Sequence, residues 1–118
     1  MKQLMFIELG MGADLHGQDV TKAAVRAVRD AIGRNSMPGM RTLVEGDSSR
    51  MKVRVRLAVP AYADRLDLEA VRAVLPYGEV SVEVVPGGML TSSGVFLADK
   101  DDRNDLIYVV NAAVEVGI

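Results

Sequence analysis

Residues 50–59 alternate almost without fault: Met51, Val53, Val55, Leu57 and Val59 on one side, Arg50, Lys52, Arg54 and Arg56 on the other. Residues 79–85 repeat the pattern with the opposite charge, Val80, Val82 and Val84 against Glu79, Ser81 and Glu83. A period of two places each set on one face of a strand. A fold for this chain must therefore cover the valine faces and leave the charged faces open or paired with each other.

The cover is supplied by residues 19–32, where Val20, Ala23, Ala24, Ala27, Val28, Ala31 and Ile32 recur at steps of three and four, while Lys22, Arg26, Arg29 and Asp30 lie off that stripe. This predicts an amphipathic helix with Asp19 at its positive end and Gly33 or Asn35 at its stop. A second, short helix is expected after Asp67, carrying Leu68, Val71, Val74 and Leu75 and ended by Pro76 and Gly78. Residues 4–9 read as a buried strand closed by Gly10, residues 35–49 as a loop, residues 94–98 as an extended run, and residues 99–105 as a charged turn. The tail, 106–118, is β-branched and alternates, which favours strand over helix.

The elements thus run strand, helix, strand, helix, strand, strand, strand. They predict an α/β (α+β) single domain spanning 1–118, one mixed β-sheet with both helices packed on one face. The length of 118 residues allows one core, not two. Fourteen basic against 16 acidic residues, a formal charge of −2, give no basic footprint for nucleic acid or an anionic membrane surface. The absence of cysteine excludes disulfides and thiolate chemistry and fits a cytoplasmic setting. The first apolar run is interrupted at Glu8, too short for a membrane span.

Four cations on one strand form a patch unless acids oppose them. Glu79, Glu83, Glu115 and Glu8 are expected to alternate with them across strands. Two other readings of the face are packing against copies of the chain in a ring and, around Arg54, a cradle for an anionic ligand.

Chemistry concentrates in residues 10–17, Gly-Met-Gly-Ala-Asp-Leu-His-Gly, which hold the single histidine. Asp14 and His16 have the residue types of a general acid/base pair, the carboxylate orienting the ring. They also supply two of the three or four ligands of a divalent metal site, the others to come from Glu8, Asp19 or a neighbouring subunit. Gly10, Gly12 and Gly17 would let backbone N–H groups approach an anion. The alternative is structural, with Asp14 bracing the turn and His16 bonded to main chain. A dinucleotide-binding loop is a poor match, because Leu15 stands where its third glycine belongs. Ser92 and Ser93 are candidates for a nucleophile or anion contact and equally for a hydrogen-bonded turn. Asn111 in the last strand either lines a cleft or faces solvent. Tyr62 and Tyr77 read as packing residues with polar tips.

Gly10, Gly12, Asp14, His16 and Gly17 resemble the G-x-G-x-D-x-H-G signature of a conserved hypothetical family of about this length, the Lin-locus family of bacterial proteins with longer plant relatives. Residues 18–32 and 106–118 look like that family too. The order of elements is also similar to that of the trimeric chorismate mutases and YjgF-type proteins, whose clefts lie between subunits, and to domains of the cyanuric acid hydrolases. That resemblance implies an architecture and a homo-oligomer, in the first instance a trimer. It implies none of the mutase catalytic residues, since the first strand offers Glu8 where those enzymes carry an arginine. The expectation is an enzyme acting on a small polar molecule in an intersubunit cleft, with Asp14 and His16 as its chemical groups and no organic cofactor. The alternative is a non-catalytic small-molecule or metal-binding protein.

Overall fold

A computed structural model describes residues 1–118. Five strands, β1 (Leu4–Asp14), β2 (Lys52–Val59), β3 (Glu79–Pro86), β4 (Met89–Ser92) and β5 (Leu106–Gly117), form one mixed sheet. Its order is β1-β5-β2-β3, with β4 pairing β5 beyond the end of β2. β5 runs antiparallel to both β1 and β2, while β2 and β3 are parallel. Helices α1 (Val20–Ile32), α2 (Pro38–Leu43) and α3 (Leu68–Arg72) accompany it.

The valine faces meet the helices as the periodicity requires. Val53, Val55, Leu57 and Val59 of β2 and Val110, Ala112, Val114 and Val116 of β5 are buried in one core with Val20, Ala24 and Val28 of α1. Asp19 caps α1 by accepting from Lys22 N at 3.1 Å, and Asp67 caps α3 by accepting from Glu69 N and Ala70 N.

The first strand does not stop at Gly10. It continues to Asp14, so Gly10 and Gly12 are strand residues on the helix side rather than parts of a loop. A Cβ on Gly12 would run into Ala23 O and Ala27 N, and one on Gly10 into Ala31 N and Ala27 O. These two glycines, opposite a row of alanines, let the α1 backbone settle directly on β1. No room is left beside them for a ligand.

Three further expectations are corrected. Residues 35–49 are not all loop: α2 starts at Pro38, whose fixed φ suits a first helical position. Residues 94–98 form no strand; the added strand is β4, just after the Pro86-Gly87-Gly88 break. Glu8 does not join the charged face. It pairs in register with Val114 and, like Gly10 and Gly12, points toward the helices, where it is buried.

The open face of the sheet has two halves. On one, Lys52–Glu79 (2.5 Å), Arg54–Glu115 (2.8 Å) and Arg56–Glu83 (2.9 Å) pair across strands. The hydrogen bonds from Arg54 hold the Glu115 carboxyl below its ordinary range against the opposing effect of burial. On the other half, Ile7, Leu9 and Met11 of β1 project into solvent, Leu9 at 71% exposure. β1 is an edge strand, pairing only with β5, and α1 protects part of its free side. Asp30 accepts from Met11 N at 2.9 Å, and Arg26 donates to Ala13 O at 2.7 Å. No helix is long and apolar enough to cross a membrane.

Candidate functional site

Between β1 and α1 only residues 15–19 remain as connection, and two of them take left-handed backbone: Gly17 at φ 97° and Gln18 at φ 49°. For Gln18 that conformation costs about 1 kcal/mol or more, so its surroundings must hold it there. They do. Its side-chain amide donates to Leu106 O at 2.7 Å and accepts from Arg103 N at 3.2 Å, stitching the loop to the turn that precedes β5.

The reversal at Gly17 aims three consecutive residues at one carboxylate, Asp102. His16 Nδ1 donates to Asp102 Oδ2 at 2.8 Å, Gly17 N to Oδ1 at 2.7 Å, and Gln18 Nε2 to Oδ1 at 3.3 Å. Leu97 N adds a fourth bond, to Oδ2, at 2.9 Å. Burial pushes the Asp102 carboxyl up, but the hydrogen bonds from Leu97, His16 and Gly17 outweigh it and bring its pKa down to about 2. An ionised carboxylate only accepts, so the proton of this contact sits on Nδ1 and the lone pair of the neutral ring on Nε2.

The ring partner is thus Asp102 and not Asp14. Asp14 accepts from Asp19 N at 2.8 Å and lies 3.9 Å from Arg26 Nη1. It braces the entry to α1, the structural role that residue type has at a helix start. Asp102 was hidden in the charged turn 99–105, where no spacing distinguishes it from Asp99, Asp101 or Asp105; the chain brings it to His16 only by placing β5 beside β1.

The His16 side chain is 27% exposed. It lines an open hollow of about 430 Å³ with Asp14, Lys22, Arg26, Lys100 and Asp101. Lys22, Arg26 and Lys100 share its lining with the carboxylates of Asp14, Asp99 and Asp101, so it is strongly polar with no net charge of either sign. No three His, Asp or Glu side chains in the chain converge in a way that would hold a metal ion.

The other sequence candidates lie elsewhere. Arg54 is held by Glu115 through Nε (3.1 Å) and Nη2 (2.8 Å), so its fork is committed on the open sheet face. Ser92 Oγ donates to Asp105 Oδ2 at 2.5 Å, and Ser93 Oγ to Asp105 O at 2.7 Å; both fasten the turn after β4. Asn111 is exposed on the open face opposite Met11. Of the residues proposed from sequence, the structure brings His16 and Gly17 to one place with Asp14 at its edge, and separates them from Arg54, Ser92, Ser93, Asn111 and the buried strand glycines.

Comparison with known proteins agrees with this architecture. A crystal structure of an FtsZ-like protein of unknown function from Nostoc punctiforme is similar to the chain at 39% identity, with a TM-score of 0.86, covering 97% of this chain and 93% of that one. None of the curated proteins matches. Residues 4–116 match the family described as conserved hypothetical protein (Lin0512_fam), and the chain belongs to that family.

Proposed function

We propose that the protein binds a small polar molecule in the hollow at His16, and that His16, oriented by Asp102, passes a proton to or from it. The observation that carries this reading is the 2.8 Å contact between His16 Nδ1 and a buried carboxylate whose remaining bonds go to main chain and to Gln18. A ring held this way cannot swing, and it presents Nε2 to whatever enters the hollow. Lys22, Arg26 and Lys100 beside Asp14, Asp99 and Asp101 favour a strongly polar ligand.

Self-association belongs to the same reading. Ile7, Leu9 and Met11 form an exposed apolar strip beside a charged half-face, the composition of an interface core with its polar rim. β1 runs from this strip directly into the His16 loop, so a second or third copy seated there comes close to the hollow.

A non-catalytic binding role is the second reading, favoured by one observation: Asp102 also ties down Gly17, Gln18 and Leu97, so its bond to His16 braces the loop whether or not the ring transfers a proton. The single histidine makes the test direct. Its ring signals are followed by NMR while small carboxylates, inorganic phosphate and cyclic amides are added, and each compound that shifts them is assayed for turnover. Saturable binding with turnover that His16→Asn abolishes while binding persists supports acid/base chemistry. Binding without turnover in the unaltered protein supports the second reading, and unmoved ring signals with every compound overturn both.

A further inference from the structure

A second place in the molecule holds a charge that nothing answers. Glu8, 8% exposed, faces the end of α1 from the middle of β1. Its Oε2 accepts from Asn35 Nδ2, whose other hydrogen bond goes to Ala31 O at 2.6 Å. Its Oε1 is buried and has no hydrogen-bond partner. The last carbonyls of α1 add negative potential here, so the carboxylate stands at the wrong end of that helix for its sign. Arg34, which lines an outer hollow with Glu8, is turned to Asp30 at 3.2 Å.

Glu8 lies where two hollows meet. One is a half-open pocket of about 100 Å³ whose walls are mainly apolar, with Ile32, Met37 and Leu75 inside and Pro76 and Tyr77 at its exposed rim. The other opens outward between residues 5–8 and 34–37, and it shares Glu8, Asn35 and Met37 with the first. A buried carboxylate oxygen without a donor is a costly arrangement. Bulk water does not reach Oε1 where it stands, and the two Asn35 amide hydrogens are already committed to Glu8 Oε2 and Ala31 O. An ammonium group carries three donors and the missing charge, and an alkyl chain attached to it fits the apolar walls. Engineered cavities of about 150 Å³ take up benzene, so this smaller one suits a short unbranched chain rather than a ring.

We infer that this pocket is a binding site for a small primary alkylammonium ion, its nitrogen on the Glu8 carboxylate and its chain against Ile32, Met37 and Leu75, with Val114 and Val116 beneath. The site is separate from the hollow at His16 and does not depend on what that hollow does.

The test uses n-butylammonium, n-butanol and butyrate as probes of the unaltered protein, read by methyl NMR of Ile32, Val114 and Val116 and by calorimetry. Butylammonium is expected to bind about ten-fold or more tighter than butanol, as a charge-assisted bond requires, and butyrate is expected not to bind. Glu8→Gln is expected to remove the preference for the ammonium ion while leaving weak butanol binding. Equal affinity for butylammonium and butanol, or no movement of the methyl signals of these three residues with any probe, overturns the inference. So does a Glu8→Gln variant that keeps the preference. The three-probe comparison decides the matter on the unaltered chain even if that variant fails to fold.

Discussion

His16 and Asp102 are 86 residues apart in the chain and 2.8 Å apart in the fold. The contact fixes the ring because the carboxylate is ionised, buried and saturated by main-chain donors on both oxygens. Asp102→Asn retains the shape, and with its one oxygen kept toward the two donors Gly17 N and Gln18 Nε2 it turns an N–H to the ring. The proton of the neutral imidazole is then expected to move from Nδ1 to Nε2. Nitrogen chemical shifts of the single histidine read this directly, and the same tautomer in both proteins would show that Asp102 does not orient the ring.

The depressed pKa of Asp102 also sets part of the acid limit of stability. In the unfolded chain its carboxyl titrates near the ordinary value, about 3.9; in the folded protein it titrates at about 2. A lowered folded pKa contributes stability that is fully present above about pH 4 and is lost as the pH falls toward about 2. Denaturant unfolding measured across this window is expected to show a steep loss of stability. Asp102→Asn is expected to make the loss shallower without abolishing it, because the Glu115 carboxyl, held low by Arg54, follows the same rule.

Gly12→Ala tests the contact between α1 and β1. The added methyl meets the helix backbone at Ala23 and Ala27, which cannot move aside as a side chain would. Overpacking of this kind costs about 1–3 kcal/mol. Gly39→Ala is the control, because nothing lies within 4 Å of the added atom, and as a residue of α2 it is expected to gain up to about 1 kcal/mol rather than lose. Denaturation midpoints of the two variants should separate accordingly.

Leu9→Lys addresses self-association without touching the core. At 71% exposure the side chain contributes little to the fold of one copy, so thermal unfolding of the isolated chain should be nearly unchanged. Sedimentation equilibrium should report a lower mass than for the unaltered protein. Identical masses would remove Leu9 from any interface.

Much of the fold was legible because one period governed each segment. Val53 to Val59 and Val80 to Val84 could only be strand faces, and the alanine stripe of 20–32 could only be their cover. Gly10 misled, since glycine signals a break as readily as a close approach, and only the facing row Ala23, Ala27, Ala31 decides between them. Glu8 misled for a related reason: its charge argued for the open face, while its phase, two residues from Gly10 and four from Gly12, placed it under α1. At the site, His16 was visible as the single histidine of a glycine-rich turn, but its partner was not. Asp14 was the nearer carboxylate in sequence, and a register between β1 and β5, set by valines far from either residue, determined that Asp102 arrives instead.

The position of β5 has a consequence for how the molecule is made. The last of the five strands in chain order, Leu106–Gly117, lies in the middle of the sheet, between β1 and β2. Until it is made, β1 and β2 lack the neighbour that joins them, and the valines of β2 have only half a floor beneath α1. Assembly of the sheet must therefore wait for this strand and close segments distant in sequence, which belongs to the slower class of folding reactions. During that interval the nascent chain exposes Val53, Val55 and Leu57, and a chaperone that holds extended apolar segments would find its target there.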